Sequence, residues 1–262
     1  AGPGDLILAG DGLGDDMSGG DGNDQMNGYE GDDTLHGAGG DDQLFGDTGD
    51  DLLEGQDGDD TMHGGDGLDD LIGGGGDDAL YGHNDNDSLE CGDGDDTAFG
   101  GDGNDLLQGG AGDDALHGGL GNDTLTDGTG EDTLFGGHGN DLLIGSMDND
   151  AIDFLNGGSG DDTLMAGLAD ILTGGSGADS FVLDAGNSGA NGATIMDFNA
   201  DEDSLILTYR DTGSQPDVQI TADPDLPGSV HILVDGTEVA VVHGNGGLMA
   251  SDILLVPQSP MA

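Results

Sequence analysis

The residues of this chain with chemical capacity are aspartates set nine apart. Asp15, Asp24, Asp33, Asp42, Asp51, Asp60, Asp69, Asp78, Asp87, Asp96, Asp105, Asp114, Asp123, Asp132, Asp141 and Asp150 keep one phase, and Asp162, Asp170 and Asp179 continue it after two changes of spacing. Carboxylates in such numbers suit two kinds of chemistry: proton transfer between a matched pair, or coordination of a hard divalent cation. Other reactive constellations are missing. The seven histidines are followed by Gly, Asn or Ile, so none opens H-E-x-x-H, and no serine lies in G-x-S-x-G. A chain without lysine has no Walker A motif and no Schiff base, and its G-x-G turns run into Asp rather than a third Gly. A glycosidase-type carboxylate pair stays open, although the repeat already accounts for paired acids. The expectation is a protein that is not an enzyme.

Charge narrows the partners. There are 57 Asp plus Glu against a single basic residue, Arg210, for a formal net charge of −56 over 262 residues. Nucleic acids and anionic membranes need basic patches, so both are excluded as partners. No apolar run reaches transmembrane length. The start, Ala1-Gly2-Pro3-Gly4-Asp5, lacks the basic region of a signal peptide. Cys91 is the only cysteine, which rules out an internal disulfide and leaves a lone thiol or an intermolecular bridge. Arg210 is expected to be a local structural residue.

The elements that must position the aspartates follow from the same period. From Gly19 the chain reads GGDGNDQMN, GYEGDDTLH, GAGGDDQLF, GDTGDDLLE, GQDGDDTMH, and the blocks hold from residue 1 to 153, the last being GSMDNDAID. Phe154, Leu155 and Asn156 read as three extra residues, and GGSGDDTLM, AGLADILT and GGSGADSFV complete twenty repeats at Val182. The sixth position is Asp in nineteen of them, Leu6 departing, and the eighth is apolar in all twenty. Glycine-rich hexapeptides turn tightly through positive φ. The last three residues then form a short strand with position eight inward and positions seven and nine outward.

G-G-x-G-x-D-x-U-x resembles the RTX (repeats-in-toxin) nonapeptide, over residues 1–182, about 70% of the chain. The resemblance implies an all-β fold: a right-handed parallel β-roll of about ten coils, two nonapeptides per coil, with a C-terminal β capping region. It implies Ca²⁺ ions, several per chain, held by turn carbonyls and by the sixth-position aspartates named above. Asp85 and Asp148 at position four and Cys91 at position one depart from the pattern, which puts their turns in doubt as sites. Ordering the backbone costs more than twenty inward side chains return, and like charges repel along each edge, so metal binding is expected to drive folding.

After Val182 the period stops. Thr194 to Phe198, Leu205 to Tyr209, Val230 to Val234 and Val239 to Val242 read as strands, with Asp235-Gly236 a hairpin turn. Residues 183–262 are therefore expected to cap the roll. IMDFNADEDSLIL (195–207) and SDILLV (251–256) resemble the segments that follow the roll and the C-terminal type I secretion signal in secreted RTX proteins. An extracellular or cell-surface location is implied.

One feature lies outside the family pattern. Position nine of alternate repeats reads Phe45, His63, Tyr81, Phe99, His117, Phe135, while the matching column of the other repeats has no Phe or Tyr between Glu54 and Ile144. If alternate repeats stack about 4.8 Å apart, these rings form one column about 24 Å long. Aromatic residues favour strands anywhere, but the one-sided placement is read as a contact surface. The leading expectation is a calcium-dependent structural or adhesive protein that meets its own kind as a homo-oligomer, filament or surface layer. A glycan-binding module and the export and folding module of a larger enzyme remain alternatives.

Overall fold

In a computed structural model, residues 4–145, 151–185, 192–211, 214–244 and 247–258 are described. Among these, the chain winds into two stacked, mainly parallel sheets, one of fourteen strands and one of twelve, in about ten coils. As far as Ser204–Arg210, consecutive strands alternate between the sheets. Thr97 pairs with Ala115, Ala98 with Leu116 and Phe99 with His117, an offset of 18 residues, or two nonapeptides per coil. The expected all-β parallel roll is therefore the observed one.

The alternation of side chains places position eight inside. Met26, Leu44, Met62, Leu80, Ala98, Leu116 and Leu134 from one sheet face Leu35, Leu53, Leu71, Leu89, Leu107, Leu125 and Leu143 from the other, all fully buried. The core is thus one apolar residue per strand and per sheet. Turns close because glycine at position four takes a positive φ, as at Gly103 and Gly121, where the backbone of the preceding coil leaves no room for a Cβ.

The register differs from the sequence reading at one place. Phe154, Leu155 and Asn156 pair with Thr133, Leu134 and Phe135 and form a regular strand, so they are not the insertion. Leu155 fills the core at 1% exposure, whereas Ile152, read as the inward residue, is 40% exposed. The extra length precedes Asp153. Both Ile152 and Leu155 satisfy an apolar eighth position, and only pairing with the preceding coil selects between them.

The ladders run on past residue 182 without a break. Ser180–Asp184 pairs in parallel with Ser204–Arg210, and that strand with Ile253–Gln258. In the other sheet Ile171–Ser176 pairs with Ala193–Ile195, which pairs with Thr237–His243. Only then does the direction change: Thr237–His243, Ser229–Val234 and Val218–Ala222 form an antiparallel meander. Its hairpin turns at Asp235 and Gly236, both at positive φ, as the dipeptide predicts. Phe198 covers Phe181 at the end of the core, ring centroids 5.9 Å apart. Among the described residues no helix is long and apolar enough to cross a membrane.

Candidate metal centre

Each sixth-position aspartate from Asp15 to Asp141 ends a turn at an edge of the roll. Its backbone N–H donates to Oδ1 of the aspartate one coil on: Asp42 to Asp60 at 2.7 Å, Asp78 to Asp96 at 2.6 Å, and on the opposite edge Asp87 to Asp105 at 2.9 Å. The result is two ladders of carboxylates, each tied to the next by a charge-assisted hydrogen bond. Asp24, Asp42, Asp60, Asp78, Asp96 and Asp114 stand on one edge, and Asp33, Asp51, Asp69, Asp87, Asp105, Asp123 and Asp141 on the other, all at most 3% exposed.

The second oxygen is the telling atom. Oδ2 of every aspartate just named is buried and lacks a hydrogen-bond partner. A buried carboxylate oxygen without a partner is expensive. Beside it lies a second oxygen: a Cβ placed on Gly100 would meet both Oδ2 of Asp105 and the carbonyl oxygen of Gly118. Similar cradles recur at Gly46 with Asp51 and Gly64, and at Gly118 with Asp123 and Gly136. Paired carboxylate and carbonyl oxygens suit a hard cation such as Ca²⁺, which takes six to eight oxygen ligands.

At the rungs from Asp33 to Asp123, and at Asp141, Asp162 and Asp179, burial raises the carboxyl pKa, and the backbone hydrogen bond opposes the rise. Asp51, Asp60 and Asp162 are pushed up to about 6, Asp69, Asp78, Asp114 and Asp123 to about 7, and Asp87 to about 8. A cation at the edge would reverse that cost.

The expected residues are placed as follows. Asp132, Asp162, Asp170 and Asp179 join the ladders, and Asp15 is the half-buried first rung, its Oδ2 accepting from the N–H of Asp11 at 2.8 Å. Oδ2 of Asp170 accepts from Gly167 N–H at 2.7 Å. Asp150 lies outside the described residues. The rung expected of it is held by Asp153, which receives the N–H of Asp132 at 3.0 Å.

Three more residues escaped the sequence reading. Asp203 extends one ladder, accepting from Asp179 N–H at 3.0 Å, and Asp197 accepts from the N–H groups of Gly174 and Gly175. Both lie in IMDFNADED, where acids stand beyond the last repeat, so the signal was present but had no period. Asp127 replaces the glycine of position one and points inward, fully buried, with a carboxylate oxygen near those of Asp132 and Asp153. Cys91 occupies the same position in its repeat and is buried, which removes it from intermolecular disulfide chemistry. Burial drives its thiol pKa far up.

The ring column is real in space. Phe45, His63, Tyr81, Phe99, His117 and Phe135 stack face to face with centroids 4.7 to 5.3 Å apart and planes within 11°. Asn27 and Asn156 bracket the column. Neighbouring rings cover one another's faces and turn their edges outward, with Phe99 36% and Phe135 39% exposed.

The turns also have known counterparts. A family model for the RTX calcium-binding nonapeptide repeat matches segments from residue 9 to residue 189, with a break only at 90–91. No curated protein matches the chain. Among solved structures, the AlgE6R3 subunit of a mannuronan C5-epimerase from Azotobacter vinelandii is similar at 24% identity, over 57% of this chain and 78% of that one, with a TM-score of 0.31. The extracellular lipase LipA from Serratia marcescens is similar at 18% identity and TM-score 0.26; the match takes in 97% of this chain but only 40% of the lipase. With its period, its turns and its carboxylate ladders matched across most of its length, the chain belongs to the RTX family of calcium-binding nonapeptide repeat proteins.

Proposed function

We propose that this protein is an extracellular scaffold that folds when Ca²⁺ enters the turns and then associates through its ring column. The observation that carries the first half is the two rows of buried Oδ2 atoms without hydrogen-bond partners, Asp24 to Asp114 on one edge and Asp33 to Asp141 on the other. In this reading the sixth-position aspartates, with Asp153 on the rung expected of Asp150, are the side-chain ligands. Carbonyl oxygens such as those of Gly118 and Gly136 supply the remainder. Without metal the ladders repel and the thin core does not compensate, so the chain stays open where Ca²⁺ is scarce and closes where it is abundant. Residues 1–182 act as the roll and 183–262 as its cap and export signal.

The second half rests on the column. Its outward edges make a contiguous apolar stripe, which a monomer rarely leaves exposed without use, and it lies away from the carboxylate edges that would repel another copy. Self-association is favoured over glycan stacking because a sugar stacks on a ring face, and here the faces are taken by neighbouring rings.

Adding Ca²⁺ to chain held in EGTA tests both halves, with circular dichroism reading folding and light scattering reading assembly. Strand signal and scattering should rise together. A strand-rich spectrum in EGTA sinks the first half. A folded monomer at high concentration sinks the second, and glycan retention by that monomer would favour the binding module instead.

A further inference from the structure

The ring column carries a side branch that the period did not announce. His83, the second residue of its nonapeptide, lies opposite Gly65 in the strand ladder. Its ring reaches sideways to His63 of the column, with His63 Nδ1 and His83 Nε2 3.0 Å apart. The ring centroids are 5.2 Å apart and the planes differ by 17°. That separation is the nitrogen gap plus two ring radii, so the imidazoles meet edge to edge in nearly one plane. One donates a hydrogen bond and the other accepts, and both nitrogens are directed at the same gap.

We propose that His63 and His83 form a two-histidine site for a divalent transition cation of the Zn²⁺, Cu²⁺ or Ni²⁺ class, separate from the carboxylate edges. Two imidazole nitrogens bound at about 2.0–2.1 Å and at right angles on one ion lie about 3 Å apart, so the pair already has the bite of a chelate. His63 is held for the task, its ring clamped between Phe45 at 5.0 Å and Tyr81 at 4.7 Å. The adjustment that makes both lone pairs converge falls on His83, which is exposed and stands over a glycine that leaves it room to turn.

Selectivity follows from ligand type. Imidazole suits borderline cations, whereas Ca²⁺ prefers oxygen and stays with the turns. The net charge of −56 raises the local concentration of any cation. Desolvation, and then the neighbouring His83, lowers the His63 pKa and keeps the ring neutral and able to ligate. Each neutral imidazole carries one proton. Binding at these two nitrogens leaves the protons on His63 Nε2 and His83 Nδ1, so none is released overall. Water completes the coordination.

The test uses the Ca²⁺-saturated full chain and one equivalent of Cu²⁺, at a pH above the imidazole range. Electron paramagnetic resonance counts coordinated nitrogens, and calorimetry gives the affinity. The parent should show a two-nitrogen species. His83→Gln and His63→Gln should each lose it and weaken binding about tenfold or more, whereas His117→Gln, a column histidine with no histidine beside it, should match the parent. Circular dichroism checks that each variant still folds with Ca²⁺, and His83→Gln, altered at an exposed side chain, keeps the test valid if His63→Gln does not fold. Oxygen-only coordination in the parent, or an unchanged two-nitrogen signal in His83→Gln, overturns the proposal.

Discussion

The backbone N–H of Asp87 donates to Oδ1 of Asp105 across one coil at 2.9 Å, while Oδ2 of Asp105 is buried without a hydrogen-bond partner. One carboxylate thus does two jobs. It ties neighbouring coils together and presents an oxygen to the edge.

The two jobs can be separated. Asp105→Asn keeps an acceptor for Asp87 but loses the charge, whereas Asp105→Ala also leaves a buried N–H unpaired, at a cost of about 1–3 kcal/mol. Both should raise the Ca²⁺ midpoint of folding, Ala more than Asn, and Asp70→Asn, at an exposed position, should leave it nearly unchanged. Identical midpoints for all three in a Ca²⁺ titration followed by circular dichroism would refute the ladder as the metal edge.

Acid should partly replace calcium. Burial raises the carboxyls in the middle of the ladders, to about 7 at Asp69 and Asp78 and about 8 at Asp87. A group whose folded pKa exceeds its unfolded value contributes stability that is fully present below the unfolded pKa, near 4, and lost as pH rises through 6 to 8. Metal-free chain moved from neutral pH to about pH 5 should therefore gain strand signal. With Ca²⁺ the midpoint should rise over the same acid shift, because protons compete for the ligands. An apo spectrum indifferent to pH would contradict this.

Glycine at position four should resist substitution where the preceding coil is closest. A Cβ on Gly121, at φ +132°, would fall onto the carbonyl oxygen of Gly103, whereas a Cβ on Gly75 meets nothing within 4 Å. Gly121→Ala should destabilise the calcium-loaded roll by about 1–3 kcal/mol or more, with Gly75→Ala near neutral. Denaturant titrations in Ca²⁺ decide the comparison, and equal midpoints would contradict it.

The column predicts a loss of contact without a loss of fold. Tyr81→Ser, Phe99→Ser and Phe135→Ser together remove four of the five ring contacts, each worth about 0.5–1.5 kcal/mol. The triple variant should fold at a somewhat higher Ca²⁺ concentration, since the core residues lie on the other face of the strand. Its light scattering at full Ca²⁺ should drop towards that of a monomer. Parent-like scattering would place the contact elsewhere. Burial lowers the pKa of both His63 and His117, so the assembled parent should loosen as pH falls below about 6.5 and these rings take up protons.

The sequence by itself determined everything that repeats. Asp at position six and an apolar residue at position eight specify edges and core because the side chains of a strand alternate and a turn needs its glycines. The Asp235-Gly236 hairpin was equally legible, since few dipeptides take two positive φ values. Tertiary structure decided what happens where the period slips or ends. Asp153 rather than Asp150 takes its rung because Leu155 pairs with Leu134, a constraint between residues 21 apart that no local pattern expresses. Asp203 joins a ladder because Ser204–Arg210 continues the sheet after the nonapeptide period has ended. His83 sits at a position whose residue type varies from repeat to repeat, so nothing local marked it. It meets His63 only because the coils stack two nonapeptides apart and Gly65, two residues after His63 and directly opposite His83, has no side chain to fill the space beside His63.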